Sequence, residues 1–162
     1  MSFKDHFSGH AADYASHRPT YPRELFDFLA GLVGNRALAW DCATGNGQAA
    51  AALAESFDCV IATDASAEQI ESAVGLPDNV ELRVAPAEDS GIANGSVDLV
   101  TVAQALHWFD FDAFYAEVNR VLAPGGVLAV WNYGLTRISP AVDALIDEFY
   151  RGEIDGEMRV SP

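Results

Sequence analysis

From Pro22 onward the chain alternates between stretches with apolar residues at helical spacing and short, near-continuous apolar runs. That alternation predicts a parallel sheet with helices packed on its faces. Arg23 to Val33 reads as a helix, Ala37 to Asp41 as a first strand, Gln48 to Phe57 as an alanine-rich helix and Cys59 to Asp64 as a second strand beside the first. Ser66 with Gln69 has the spacing of a capping box, and Gly75-Leu76-Pro77 ends the helix that starts there. Val80 to Val84 is the third strand. The Asn94-Gly95 turn leads into Val97 to Ala103, the most hydrophobic strand. Phe111 to Leu122 reads as a helix stopped by Pro124-Gly125-Gly126, Val127 to Trp131 as a fifth strand, and Pro140 to Tyr150 as a last helix with Val142, Leu145, Ile146 and Phe149 on one face.

These elements predict an α/β fold: a Rossmann-like, doubly wound, mainly parallel sheet of strand order 3-2-1-4-5. Right-handed crossovers carry the first three strands one way and return the fourth to the far side of strand one. A ligand crevice is then expected outside the carboxyl ends of strands one and four, where the order reverses. The 162 residues fit one domain, with a core over residues 22–150 and an acidic tail over 151–162 that neither closes the sheet nor adds a helix.

Charge narrows the partners. Nine basic against 24 acidic residues leave a formal charge of -15, which repels a phosphate backbone, so no nucleic acid partner is expected. No apolar stretch approaches the roughly 18 residues of a membrane span, and the N-terminus lacks a signal-peptide apolar region, so the expected location is cytoplasmic. Cys42 and Cys59 lie in apolar runs and read as reduced, packed thiols. The histidines have no ligand-like company, and no metal site is expected.

Four carboxyl-end segments meet at the predicted crevice. The first is the cradle Asp41-Cys42-Ala43-Thr44-Gly45-Asn46-Gly47, which with Ala50 forms G-x-G-x-x-A at the opening of a helix. The second is Asp64-Ala65, where the acid is placed to accept from a ribose diol or to cap the next helix ahead of Ser66. The third is Ala85 to Asp89, where Ala87 N–H and the Glu88 carboxylate can read an adenine edge, Glu88 being otherwise a solvated loop acid. The fourth is Ala103 to Asp110, carrying Gln104, His107 and Trp108. Asp41 either holds a ligand amino group or orients the glycine loop, or bonds only its own turn. Its charge disfavours the pyrophosphate of a dinucleotide and tolerates the ammonium and sulfonium of S-adenosylmethionine.

Taken together, the segments Asp41 to Gly47, Asp64, Ala85 to Glu88, Ser96 to Val100, Gln104 to Phe109 and Leu122 to Gly126 resemble the successive motifs of class I S-adenosylmethionine-dependent methyltransferases. His6 to Tyr14, Arg18 to Pro22 and the A-L-H-W-F segment are similar to small-molecule members of the trans-aconitate methyltransferase type (methyltransferase type 11). The resemblance implies methyl transfer from S-adenosylmethionine to a small-molecule acceptor. It implies that Ala43, Gly45 and Gly47 approach the methionine moiety, Asp64 with Ala65 the ribose, and Ala87 with Glu88 the adenine. It places Gln104 under the methionine part, and gives Tyr14 and Arg18, from a lid over residues 1–21, to the cofactor carboxylate. His107 is the implied base or acceptor-binding group and Trp108 a pocket wall. Members of that group carry a sixth and seventh strand, which this chain lacks, so a truncated form is expected. A cofactor-binding protein without activity is the competing reading. A nicotinamide oxidoreductase is disfavoured, because no pyrophosphate loop or Tyr-Lys pair is offered.

Overall fold

The computed structural model describes residues 21–134 and 138–157, with side chains described to residue 148. The chain divides into two compact units, Met1–Asn132 and Tyr133–Pro162. In the first, β1 (Leu38–Cys42), β2 (Cys59–Asp64), β3 (Val80–Val84), β4 (Val97–Ala103) and β5 (Leu122–Trp131) form one sheet of order β3-β2-β1-β4-β5. Every pairing is parallel, as the alternating pattern requires. The strand order matches that expected from the sequence.

Helices α1 (Arg23–Gly31) and α2 (Gln48–Leu53) cover one face, where Phe26, Leu29, Leu53, Val60 and Leu99 pack together. On the other face, Trp40, Ile61, Val100 and Val102 pack on Phe114 and Val118 of α4 (Phe111–Val121). Double coverage is why β4 is an unbroken apolar run: all of its residues but Ala103 are buried. Each large core side chain contributes about 1.5–3 kcal/mol of burial. Helix α3 (Ala67–Ser72) buries nothing and depends more on its cap, the Ser66 hydroxyl accepting from Gln69 N as its spacing predicted.

The amino end of the sheet is closed by one carboxylate. Asp98 of β4 accepts from Ala37 N at 2.9 Å and Leu38 N at 3.1 Å, and from Asn35 Nδ2 at 3.2 Å, which fixes where β1 begins.

Beyond shifts of one or two residues, as at the end of α1 and at both ends of β1, three differences from the sequence reading stand out. Helix α2 gives way to turns after Leu53, well before Phe57. Strand β5 starts at Leu122, directly after α4, and not at Val127. Pro124-Gly125-Gly126 therefore lies inside the strand, where a register irregularity opposite Val97 and Leu99 absorbs it. A Cβ on Gly126 would stand 2.8 Å from the Val97 carbonyl oxygen, so only glycine lets β5 come so close. The third difference is a correction. The segment after Tyr150 was expected to add no helix, yet α5 (Pro140–Glu157), in the second unit, runs through it. Gly152 and Gly156 each disfavour a helix by about 1 kcal/mol without breaking it, and no proline intervenes. At the start of that unit, Asp143 accepts from Ile138 N at 2.8 Å.

Candidate functional site

The carboxyl ends of β1 and β4 lie side by side, Cys42 being opposite Val102. Just beyond them stand Ala43, at φ 56°, and Gln104, at φ 63°, the two non-glycine residues with positive φ among those described. Left-handed backbone at a side-chain-bearing residue costs about 1–3 kcal/mol and concentrates at functional sites. Between Ala43 and α2 the chain turns through Gly45 at φ 58° and Gly47 at φ 84°. Thr44 N donates to Thr63 O at 2.8 Å, which ties this cradle to β2.

The acids of the crevice have unequal environments. Asp41 is 1% exposed, and burial pushes its carboxyl up to about 6, against hydrogen bonds from Thr44, Thr101 and the Ala50 backbone that favour ionisation. Thr44 Oγ1 donates to Asp41 Oδ2 at 2.5 Å and Thr101 Oγ1 to Oδ1 at 2.8 Å, so Asp41 bonds its own turn and the neighbouring strand. Asp64, at the tip of β2, is only partly buried. Its Oδ2 accepts from Gly45 N and its Oδ1 from Ser66 N, each at 2.9 Å. It therefore joins the loops after β1 and β2. Ala65 beside it is exposed, while Ala87 is 7% exposed. Glu88 Oε1 accepts from Asp110 N at 2.9 Å, linking the loop after β3 to the start of α4, and is thus more than a solvated loop acid. Burial, followed by the Asp41 charge, pushes the Cys42 thiol well above its usual range; Cys42 and Cys59 are both free thiols.

His107 and Trp108 sit on a single 3-10 turn (Leu106–Trp108) after β4, both exposed, their rings 4.8 Å apart and inclined at 45°. Behind that turn a polar clamp fixes the loop between β3 and β4. Glu117 accepts from Ser90 N at 2.8 Å and Ser90 Oγ at 2.5 Å, and the Arg120 guanidinium beside it holds its carboxyl down to about 2. Arg120 also donates to Ile92 O at 2.8 Å and to Asn94 Oδ1.

Beneath the Ala43 and Gln104 lip, Tyr21, Asp41, Ala43, Thr44, Gln48, Ala49 and Ala103 line a small pocket. At this end of the sheet the chain leaves polar atoms unanswered, of which only Gln48 lines that pocket. Asn46 Oδ1, Gln48 Oε1, Gln104 Nε2 and Trp131 Nε1 are buried with no hydrogen-bond partner among the described residues. Gln48, Thr101 and Trp131 were not found from the sequence, and Thr44 was given no role of its own within the cradle, because nothing in spacing marks a hydroxyl, amide or indole N–H that matters only through tertiary neighbours. Tyr14 and Arg18 lie outside the described residues. Of the other predicted site residues, Asp41 and Asp64 lie at the carboxyl ends of β1 and β2, and the rest lie on the segments that follow β1, β2, β3 and β4.

Residues 40–130 match a family model described as a methyltransferase domain. A Dictyostelium discoideum protein named as a methyltransferase is 41% identical over 162 residues, spanning 99% of this chain and 61% of its own length. A solved structure from Anaeromyxobacter dehalogenans, described as a type II methyltransferase, is 46% identical at a TM-score of 0.78, covering 89% of this chain and 61% of that one. DhpI, solved as a complex with SAM and HEP, is 28% identical at a TM-score of 0.66, covering 96% of this chain and 71% of that one. The chain thus spans about three fifths of the length of the first two.

Proposed function

The chain belongs to the methyltransferase-domain family, the class I S-adenosylmethionine-dependent methyltransferases, and from that premise we propose that it binds S-adenosylmethionine in this crevice and serves methyl transfer to a small-molecule acceptor. The observation that carries the reading is the position of Asp64. Its carboxylate is fixed by two backbone N–H groups at the mouth of the glycine cradle, and each oxygen keeps a lone pair for a ribose hydroxyl. The buried, unanswered amides of Gln48 and Gln104 fit a polar ligand beside it. DhpI, a relative bound to SAM, supports the choice of cofactor.

When bound, the cofactor supplies a methyl group activated by a sulfonium. The chain's residues hold, orient and exclude water. Gly45 and Gly47 let the backbone approach without a Cβ, Asp64 with Ala65 bounds the ribose side, and Ala87 with Glu88 bounds the adenine side. Gln104 would lie under the methionine part of the cofactor, on the side from which the acceptor arrives. His107 is the group beside the crevice suited to take a proton from a hydroxyl or amine acceptor, with Trp108 as a wall. Tyr14 and Arg18, by the resemblance, close over the cofactor carboxylate.

Calorimetric titration with S-adenosylhomocysteine tests this. Wild type should bind, and Asp64→Ala, which loses the diol acceptor and the Gly45 anchor, should bind at least tenfold more weakly, about 1.4 kcal/mol. No binding to folded wild-type protein sinks the reading. A screen of small-molecule acceptors with tritiated S-adenosylmethionine, on this chain and on a form extended to the length of its relatives, then separates a methyltransferase from a cofactor-binding protein without activity.

A further inference from the structure

The short helix α2, which opens directly off the glycine cradle, is held at both ends by the chain that follows α3. Gly47 caps its start at φ 84°, and the space a Cβ on Gly47 would take is filled by Leu76, whose Cδ1 and Cδ2 would each stand 2.9 Å from it. At the other end, Asn79 Nδ2 donates to Ala54 O and Phe57 O, each at 3.0 Å, and so takes up carbonyls at the end of the helix and in the turns after it. Three residue steps from Leu76 to Asn79 reach roughly 10 Å when extended, and a helix the length of α2 rises about 9 Å. Segment 76–79 therefore matches α2 in length, with one side chain on each of its ends.

The connection from β2 to β3 thus touches both glycines of the cradle. Asp64, just before α3, accepts from Gly45 N at 2.9 Å, and Leu76, beyond α3, covers Gly47. Between these two points α3 buries no residue, so the connection is fixed mainly by its ends and its Ser66 cap. Leu76 is half-buried between exposed neighbours, Val74 being 79% exposed, and belongs to neither core cluster of the sheet. Its seat is the cradle. We propose that Leu76 is a positioning residue for the cofactor: packed on Gly47, it holds the turn from β1 into α2, and with it the backbone that faces the cofactor, in one place. The inference rests on the cofactor reading above. Leu76 acts through Gly47 and not by contact with the reacting group, which gives the loop after α3, remote in sequence from the crevice strands β1 and β4, a part in cofactor affinity.

Wild type, Leu76→Ala, Leu76→Met, Val74→Ala, Gly47→Ala and the double variant Gly47→Ala/Leu76→Ala are titrated calorimetrically with S-adenosylhomocysteine, each well below the melting temperature found for it. Leu76→Ala should bind about fivefold more weakly. Leu76→Met, which keeps an apolar side chain of similar reach, should stay within about twofold of wild type, and Val74→Ala, an exposed change on the same loop, should match it. A methyl on Gly47 drives the Leu76 side chain off its seat and also strains the backbone, whereas with Leu76 already cut back only the strain remains. The affinity lost on adding that methyl should therefore be smaller in the Leu76→Ala background by a factor of about three or more. Should Gly47→Ala not fold, Leu76→Ala against Leu76→Met decides. Leu76→Ala binding as tightly as wild type, whatever its melting temperature, overturns the proposal, as do equal losses in Leu76→Met and Leu76→Ala or additive losses in the cycle. Failure of folded wild type to bind S-adenosylhomocysteine overturns instead the cofactor reading, and this proposal with it.

Discussion

The two ends of the same parallel sheet treat polar atoms in opposite ways. At the amino end, Asp98 is 7% exposed and its carboxylate is taken up by Ala37 N, Leu38 N and Asn35 Nδ2, all supplied by the chain. At the carboxyl end, Gln48, Gln104 and Trp131 hold buried polar atoms that the described residues do not answer, and Ala43 and Gln104 hold left-handed backbone. Both ends carry a buried acid, Asp98 at one and Asp41 at the other. Saturation is what separates them: the polar groups at the amino end find their partners within the chain, and those at the carboxyl end find none among the described residues.

That contrast is exposed to substitution. The largest effect is expected at the saturated end. Asp98→Ala leaves two backbone N–H groups and an amide without their acceptor, a loss of about 4 kcal/mol at roughly 1–3 kcal/mol each, and should lower the denaturant midpoint with little change in S-adenosylhomocysteine affinity in whatever fraction stays folded. A variant as stable as wild type would erase the distinction between the ends.

A smaller, pH-dependent effect is expected at Asp41. Its carboxyl has an ordinary value of 3.8 and rises to about 6 in the fold. Between those values the folded chain keeps a proton that the unfolded chain releases, so stability falls as pH rises from about 4 to 6 and is level above. The span is on the order of 3 kcal/mol. Subtracting the stability curve of Asp41→Asn from that of wild type should isolate this slope, and a difference curve flat between pH 4 and 6 refutes it. Glu117, held down to about 2, contributes in the opposite sense at lower pH.

The smallest effect sharpens the claim of strain. Ala43 at φ 56° is a residue with a Cβ where glycine is at ease. Ala43→Gly should change stability by only about 0.5–1 kcal/mol, the strain relieved being partly offset by greater freedom of the unfolded chain. A drop of several degrees in melting temperature would show that the Cβ is needed for packing.

The sheet was legible because its signals are local. Cys59 to Asp64, Val80 to Val84 and Val97 to Ala103 are apolar runs bounded by polar turns, and their limits agree with the structure. Where boundaries moved, tertiary pairing overrode a breaker: Leu122 pairs with Val97, so Pro124-Gly125-Gly126, which reads as a stop, is carried inside β5. The acids of the site were legible by position along the chain, since strand ends mark the crevice. Their partners were not. That Glu88 receives Asp110 N and Asp64 receives Gly45 N depends on how two loops far apart in sequence approach each other. The orphaned N–H of Trp131 is less visible still, because a tryptophan closing an apolar strand reads as core, and only the surroundings of its nitrogen say otherwise.

The junction at Leu122 bears on how this family can vary in length. Helix α4 passes into β5 without an intervening loop residue. Most connections in such a fold absorb an insertion at their tips. One residue inserted between the junction and Val127 would turn the rest of β5 over, sending Trp131 from the face of Tyr21 and Phe26 to that of Phe114. Deletions there carry the same penalty. The number of residues from α4 to Trp131 is therefore a quantity that selection on the crevice can hold fixed while neighbouring loops lengthen and shrink.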